Sequence, residues 1–172
     1  FFSKTIKDDN EALEFVKKIT SYSTIKFKPL LIRKKNFVDT VGIIIAASGN
    51  EKRWPIHNYI KVIEYLSERK NNKFLIISGI DQSEEEKIIN EKFKNKIQIT
   101  YSSDKKINEI IPHLFKCKFC IGNDTGFSHL SVNLDIETIV LYGDCPPQNY
   151  SSLIHAIDID HGVNRSSNSI NT

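Results

Sequence analysis

Between Val41 and Asp160 the sequence alternates short, continuous runs of apolar, mostly β-branched residues with longer segments of helical period. The runs are VGIIIAA (41–47), KFLIIS (73–78), KIQIT (96–100), KFCIG (118–122), TIVLYG (138–143) and, more weakly, LIHAIDI (153–159). Their hydrophobicity does not alternate residue by residue, so each reads as a strand covered on both faces, the pattern of a parallel sheet. The segments between them supply the crossovers that parallel strands need. WPIHNYIKVIEYLSER puts Ile56, Tyr59, Ile60, Ile63 and Leu66 on one stripe, with Pro55 in the first turn. Ser83 followed by Glu86 predicts a capping box for a second helix, with Ile88, Ile89 and Phe93 inward. Ile107, Ile110, Ile111, Leu114 and Phe115 mark a third, which Pro112 should kink or split. Phe127, Leu130 and Leu134 mark a short fourth. The order β-α-β-α-β-α-β-α-β, followed by a weak sixth strand, predicts an α/β fold: a doubly wound, Rossmann-like parallel sheet.

The chain's 172 residues accommodate one such domain. Residues 37–160 form it. Residues 1–36 read as a connecting piece that packs on a neighbour, a helix with Ala12, Phe15, Val16 and Ile19 on one stripe and then a short strand at PLLI. Residues 161–172 are a polar tail with almost nothing to bury, expected to be disordered. The chain opens on Phe1 and contains no methionine, which reads as a fragment or a processed piece of a longer protein.

Lys and Arg exceed Asp and Glu by 24 to 21, an ordinary soluble composition, and the small basic cluster at Lys26, Lys28, Arg33, Lys34 and Lys35 reads as a solvated face, or else a surface for an acidic partner or membrane. No apolar run is long enough to span a bilayer. The basic residues are not interleaved with aromatics on one face, so nucleic-acid binding is not expected. Three cysteines cannot pair off, which fits a reducing, cytoplasmic compartment, and Cys117 and Cys120 lack the second pair that would complete a zinc site. They read as buried small side chains, and no metal or cofactor is expected.

In the strand order 3-2-1-4-5-6, strands one and four are neighbours where the order reverses, and ligands sit at their carboxyl ends. The two richest polar loops fall at those two ends. After strand one comes SGNEKRWP, carrying Ser48, Gly49, Lys52 and Arg53; after strand four comes NDTGFSH, with Asp124, Thr125, Gly126, Ser128 and His129. Each leads into a helix, whose N-terminus offers unpaired N–H groups and a partial positive charge. Together with Lys52 and Arg53 they suit a polyanion such as a diphosphate. Gly126 would admit close approach, and Thr125 and Ser128 could donate hydroxyl hydrogen bonds. After strand two, Asp81 and Glu84 could accept from ribose hydroxyls, although the absence of G-x-G-x-x-G argues against a dinucleotide. Each residue also has a plainer role open to it: Asp124 or Thr125 as a helix cap, Lys52 and Arg53 as surface charges, Trp54 as core, His129 as a core histidine.

KRWP after the first strand, GNDTGFSHLSVNL after the fourth and YGDCPP after the fifth together resemble the C-terminal domain of the heptosyltransferases, glycosyltransferase family nine, over about residues 38–150. The resemblance implies the C-terminal half of a GT-B glycosyltransferase and inverting, metal-independent transfer from a nucleotide-diphosphate sugar, ADP-heptose by family default. The acceptor would be a lipid-linked glycan of the lipopolysaccharide core, on the inner face of the inner membrane. It implies that Lys52 neutralises the diphosphate, that Thr125 and Gly126 hold phosphate, that Asp124 faces the donor sugar beside His129, and that Asp81, or failing it Glu84, takes the ribose. The catalytic base belongs to the N-terminal domain in this family, so no catalytic residue is expected in this chain. Ala46 and Ala47 stand where the family usually has Pro-Gly, and GDCPP replaces the usual Gly-Pro-Thr. Two other readings remain open: another GT-B nucleotide-sugar enzyme, such as a UDP-sugar transferase or an epimerase, and a non-catalytic nucleotide-binding remnant.

Overall fold

The computed structural model describes residues 39–159, apart from 71, 144 and 149 and the side chain of Glu51. The helix and strand expected within residues 1–36 and the polar tail at 161–172 lie outside the described residues. Six strands, β1 (Thr40–Ile44), β2 (Lys73–Ile77), β3 (Ile99–Tyr101), β4 (Cys117–Asn123), β5 (Thr138–Tyr142) and β6 (Ile154–Asp158), form one sheet. Their order is β3-β2-β1-β4-β5-β6, and every neighbouring pair is parallel. Four helices, α1 (Ile56–Arg69), α2 (Ser83–Phe93), α3 (Ile107–Leu114) and α4 (Gly126–Asn133), connect them, and a 3-10 turn at Asn50–Lys52 precedes α1.

The continuous apolar runs follow from two buried faces. Val41, Ile43, Phe74 and Ile76 cluster with Tyr59 and Ile63 of α1 and with Ile89 and Phe93 of α2. The alternate side chains Ile44, Leu75 and Ile77 cluster on the other face with Ile110 and Leu114 of α3 and with Leu134 at the end of α4. Ile43 and Ile44 are adjacent in sequence, point to opposite faces and are both fully buried. Each such burial contributes about 1.5–3 kcal/mol. At the centre β1 and β4 approach closely: a Cβ on Gly122 would overlap the main chain of Ile44, its partner in the ladder, so only glycine fits there.

Several local expectations are corrected. Ser83 is the first residue of α2 and does not cap it; no side chain caps that N-terminus. Gln82 closes the turn instead, taking the Gly79 N–H on Oε1 at 2.8 Å while its Nε2 donates to Ile45 O at 2.8 Å. Glu86, the other half of the expected box, accepts from the Ser78 hydroxyl. The apolar stripes are narrower than their sequence: Ile88 is 37% and Ile107 60% exposed, which leaves Ile89 and Phe93, and Ile110 and Leu114, as the buried positions. Pro112 does not split α3, because it removes a single ladder bond near the end of a helix that stops at Leu114. The third strand starts at Ile99, after the chain has turned out of α2 through Asn95 at φ 62°. Among the described residues no helix is long and apolar enough to cross a membrane.

Candidate functional site

The strand order places the ends of β1 and β4 side by side, and one buried side chain ties them together. Asn123, the last residue of β4 and 1% exposed, donates from Nδ2 to Ile45 O at 2.7 Å and to Ala46 O at 3.4 Å. Its Oδ1 accepts from the Trp54 N–H at 3.0 Å and from the Tyr59 hydroxyl at 2.8 Å. Asn123 therefore fixes where β1 ends and where α1 begins, and with them the short turn that carries Lys52. Trp54 packs edge-on against Tyr59, with centroids 4.9 Å apart at 86°, and joins the core rather than the open cleft. Asn123 lies inside the polar motif, yet its type alone does not distinguish it from a loop residue.

A cavity of about 410 Å³ opens at this junction. Ala46, Ala47, Ser48 and Lys52 line it from the β1 end, Gly79 from the β2 end, and Asp124, Thr125, Gly126 and His129 from the β4 end. Six of the ten expected donor-binding residues, Ser48, Lys52, Asp124, Thr125, Gly126 and His129, thus share one cleft. A larger cavity, about 550 Å³, lies between α2 and the edge strand β3, but it contains none of the ten. Thr125 occupies the N-cap position of α4 without capping it, and its hydroxyl is buried with no hydrogen-bond partner. The Tyr101 hydroxyl is likewise without a partner, but only that of Thr125 belongs to a residue lining this cleft, where it is available to a ligand. A Cβ on Gly126 would meet only open space.

The other four residues lie elsewhere. Ser128 corrects the expectation of a second hydroxyl donor: it is fully buried and donates back to Asn123 O at 2.6 Å, stitching α4 to the end of β4. Arg53 turns away from the cleft toward α2, where it pairs with Asp81 and meets Glu85 at 3.6 Å. Asp81 is held by that guanidinium, whose hydrogen bond draws its carboxyl below the ordinary value. Glu84 sits on the exposed side of α2, 3.9 Å from Lys87.

His129 and Asp124 are joined, Nε2 to Oδ1, at 2.9 Å, and Asp124 Oδ2 accepts the Cys145 thiol proton at 3.2 Å. The bond from His129 is the main cause holding the Asp124 carboxyl below its ordinary range; burial opposes it, and Cys145 and the charge of Lys52 add to it. Asp124 in turn helps burial push the Tyr142 phenol up to about 12. Tyr150 meets His129 Nδ1 at 2.6 Å. The motif reading did not single out Asn123, Gly79 or Tyr150, and it met Cys145 only within YGDCPP, as part of the resemblance and as a departure from the usual Gly-Pro-Thr.

A family model for glycosyltransferase family 9 (heptosyltransferase) matches residues 10–168. Lipooligosaccharide heptosyltransferase 2 of Haemophilus influenzae is 27% identical over 106 residues, which cover 60% of this chain and 30% of that protein. Among solved structures, E. coli heptosyltransferase WaaC with ADP superposes with a TM-score of 0.73 at 18% identity, covering 93% of this chain and 53% of WaaC. E. coli ADP-heptose lps heptosyltransferase II gives 0.60 at 19% identity, covering 92% and 45%. At these identities the superpositions establish a common fold, that of GT-B heptosyltransferases, of which the chain spans about half the length. With the family match running through the β1 and β4 motifs and most of the sequence, the chain belongs to glycosyltransferase family 9, the heptosyltransferases.

Proposed function

We propose that this chain is the donor-binding half of a heptosyltransferase and that its cleft holds the diphosphate and sugar of ADP-heptose. The observation that carries the reading is the unpartnered Thr125 hydroxyl at the start of α4, in the same cleft as Lys52. Thr125, Gly126 and the first N–H groups of α4 cradle phosphate, and Ser48 and Lys52 approach it from the β1 side. Asp124, held between His129 and Cys145, faces the sugar. Asp81, outside that cleft and held by Arg53, takes the ribose beyond the phosphates, and Glu84 and Ser128 have no part in the site.

As the bond to the leaving nucleoside diphosphate breaks, negative charge grows on the bridging oxygen, and Lys52 with the helix N-terminus stabilises it. Transfer is inverting, a single displacement by the acceptor hydroxyl, and it needs no metal, because Lys52 and the helix N-terminus meet the charge of the leaving group. The base that takes the acceptor proton comes from a second, acceptor-binding domain, and the acceptor is a lipid-linked glycan at the cytoplasmic face of a membrane. The E. coli WaaC structures with ADP and with ADP-2-deoxy-2-fluoro heptose support adenine as the base.

Titration calorimetry with ADP, UDP and GDP tests the reading, with ADP expected to bind best. Lys52→Ala removes a charged contact of about 1.5–3 kcal/mol, so affinity should fall roughly 10- to 100-fold. Absence of binding to all three nucleotides, or an unchanged affinity in the variant, refutes it. A preference for UDP would select a different sugar-nucleotide enzyme.

A further inference from the structure

The loop between β5 and β6 sends two side chains to the end of β4. Tyr150 places its hydroxyl 2.6 Å from His129 Nδ1, with ring centroids 5.6 Å apart. Cys145 donates its thiol proton to Asp124 Oδ2 at 3.2 Å, while His129 Nε2 meets Oδ1 at 2.9 Å. Tyr150, His129, Asp124 and Cys145 therefore form one continuous chain, in which both carboxylate oxygens and both imidazole nitrogens are engaged.

Proton bookkeeping orders this chain. An ionised carboxylate only accepts, so His129 Nε2 carries a proton. A neutral imidazole has no second N–H, so Nδ1 accepts and the Tyr150 hydroxyl donates. Removing that hydroxyl leaves Nδ1 without a donor and frees the ring to turn, while Asp124 still keeps the proton on Nε2. The alternative Nδ1–H tautomer leaves two acceptors facing each other between His129 and Asp124.

We infer that Tyr150 and Cys145 are positioning residues for the donor sugar: the β5–β6 loop holds the Nε2–H imidazole of His129 in one orientation and Asp124 in one rotamer, so that the carboxylate presents fixed acceptors to sugar hydroxyls beside the phosphate-binding groups. This rests on the proposed donor site. Neither residue needs to touch the reacting atoms. Their effect appears in the sugar half of the ligand and not in the nucleotide half, since Lys52 and Thr125 hold the phosphates without them.

The test uses the full chain with its histidines labelled with ¹⁵N, and ADP and ADP-heptose as probes. Wild-type His129 should show a protonated Nε2 and an unprotonated Nδ1, and Tyr150→Phe should shift the Nδ1 resonance, which loses its hydrogen bond, while Nε2 stays protonated. Loss of one hydrogen bond should weaken ADP-heptose about five-fold, with ADP affinity unchanged. Cys145→Ala should give a similar selective loss, and Cys145→Ser, which keeps a donor, should restore it. An unchanged His129 spectrum in Tyr150→Phe overturns the inference, as does equal weakening of both ligands in either loss variant. If wild-type protein binds neither probe, the donor-site reading falls and the sugar role with it, whereas the tautomer spectrum separately decides the positioning of His129.

Discussion

Asn123 is the residue on which the geometry of the cleft depends most, and Asn123→Ala tests that dependence. The amide makes three hydrogen bonds of ordinary length, 2.7 Å to Ile45 O, 2.8 Å from Tyr59 and 3.0 Å from the Trp54 N–H, and a weaker one at 3.4 Å to Ala46 O. Counting about 1 kcal/mol net for each of the short bonds gives about 3 kcal/mol. The partners left behind add to this, because buried groups without partners cost about 1–3 kcal/mol each. Tyr59 is partly spared, since its hydroxyl retains a 3.3 Å contact with Ile44 O. The expected loss is about 3–5 kcal/mol, a large share of the 5–15 kcal/mol that holds a typical domain together. Urea unfolding followed by the fluorescence of Trp54, the only tryptophan, measures it directly. Tyr59→Phe alone should cost about 1 kcal/mol, and in the Asn123→Ala background almost nothing, a coupling of about 1 kcal/mol. A loss below 1 kcal/mol for Asn123→Ala, or strict additivity with Tyr59→Phe, would refute the view that this amide holds the β1 and β4 ends together.

The Asp124 carboxyl, held below its ordinary value of 3.8 chiefly by His129, contributes stability that is fully present above that pH and is lost as pH falls through its lower, folded-state value. The stability difference between wild type and Asp124→Asn should therefore be largest near neutrality and shrink with acidification; a difference that grows on acidification contradicts the assignment. Among the three cysteines, Cys117 and Cys120 are buried and Cys145 is half-buried. A thiol reagent should modify Cys145 in the folded protein and reach the other two only on unfolding, as peptide mapping after timed labelling would reveal. Gly122→Ala should cost about 3 kcal/mol or prevent folding, because the new methyl group overlaps Ile44 at the β1–β4 seam. A urea midpoint within error of wild type would show that the seam can open.

The architecture was legible because each strand is buried on both faces. A run such as VGIIIAA has few ways to satisfy that demand, and crossovers of helical length between such runs lead to a parallel sheet; its expected order rests on the common doubly wound arrangement, which the structure has. Local detail failed where two structures satisfy the same pattern. Ser83 and Glu86 have the spacing of a capping box, but Gln82, drawn inward by the Ile45 carbonyl 37 residues away, closes the turn first. Ile88 and Ile107 fit their helical stripes by period and are nevertheless exposed, because β3 is an edge strand of three residues and covers little of what lies above it.

In the cleft, legibility followed sequence distance. Asp124, Thr125, Gly126 and His129 lie within six consecutive residues, so their type and spacing marked them together. Tyr150 and Cys145 reach the same place from 21 residues away, and Asn123 acts on groups 64 to 78 residues distant, which no local pattern records. Thr125 and Ser128 are the informative pair. Both hydroxyls sit at the start of α4, and spacing alone allows either to face a ligand. The helix gives the cap position to Thr125, where a hydroxyl ordinarily satisfies an N–H of the first turn and contributes about 0.5–2 kcal/mol. It makes no such bond, while Ser128 is spent on Asn123 O. The domain thus forgoes a cap that the same side chain could supply. In the proposed donor site, an anion seated on the first turn of α4 would satisfy those N–H groups and the Thr125 hydroxyl at once and so supply the cap that the side chain does not.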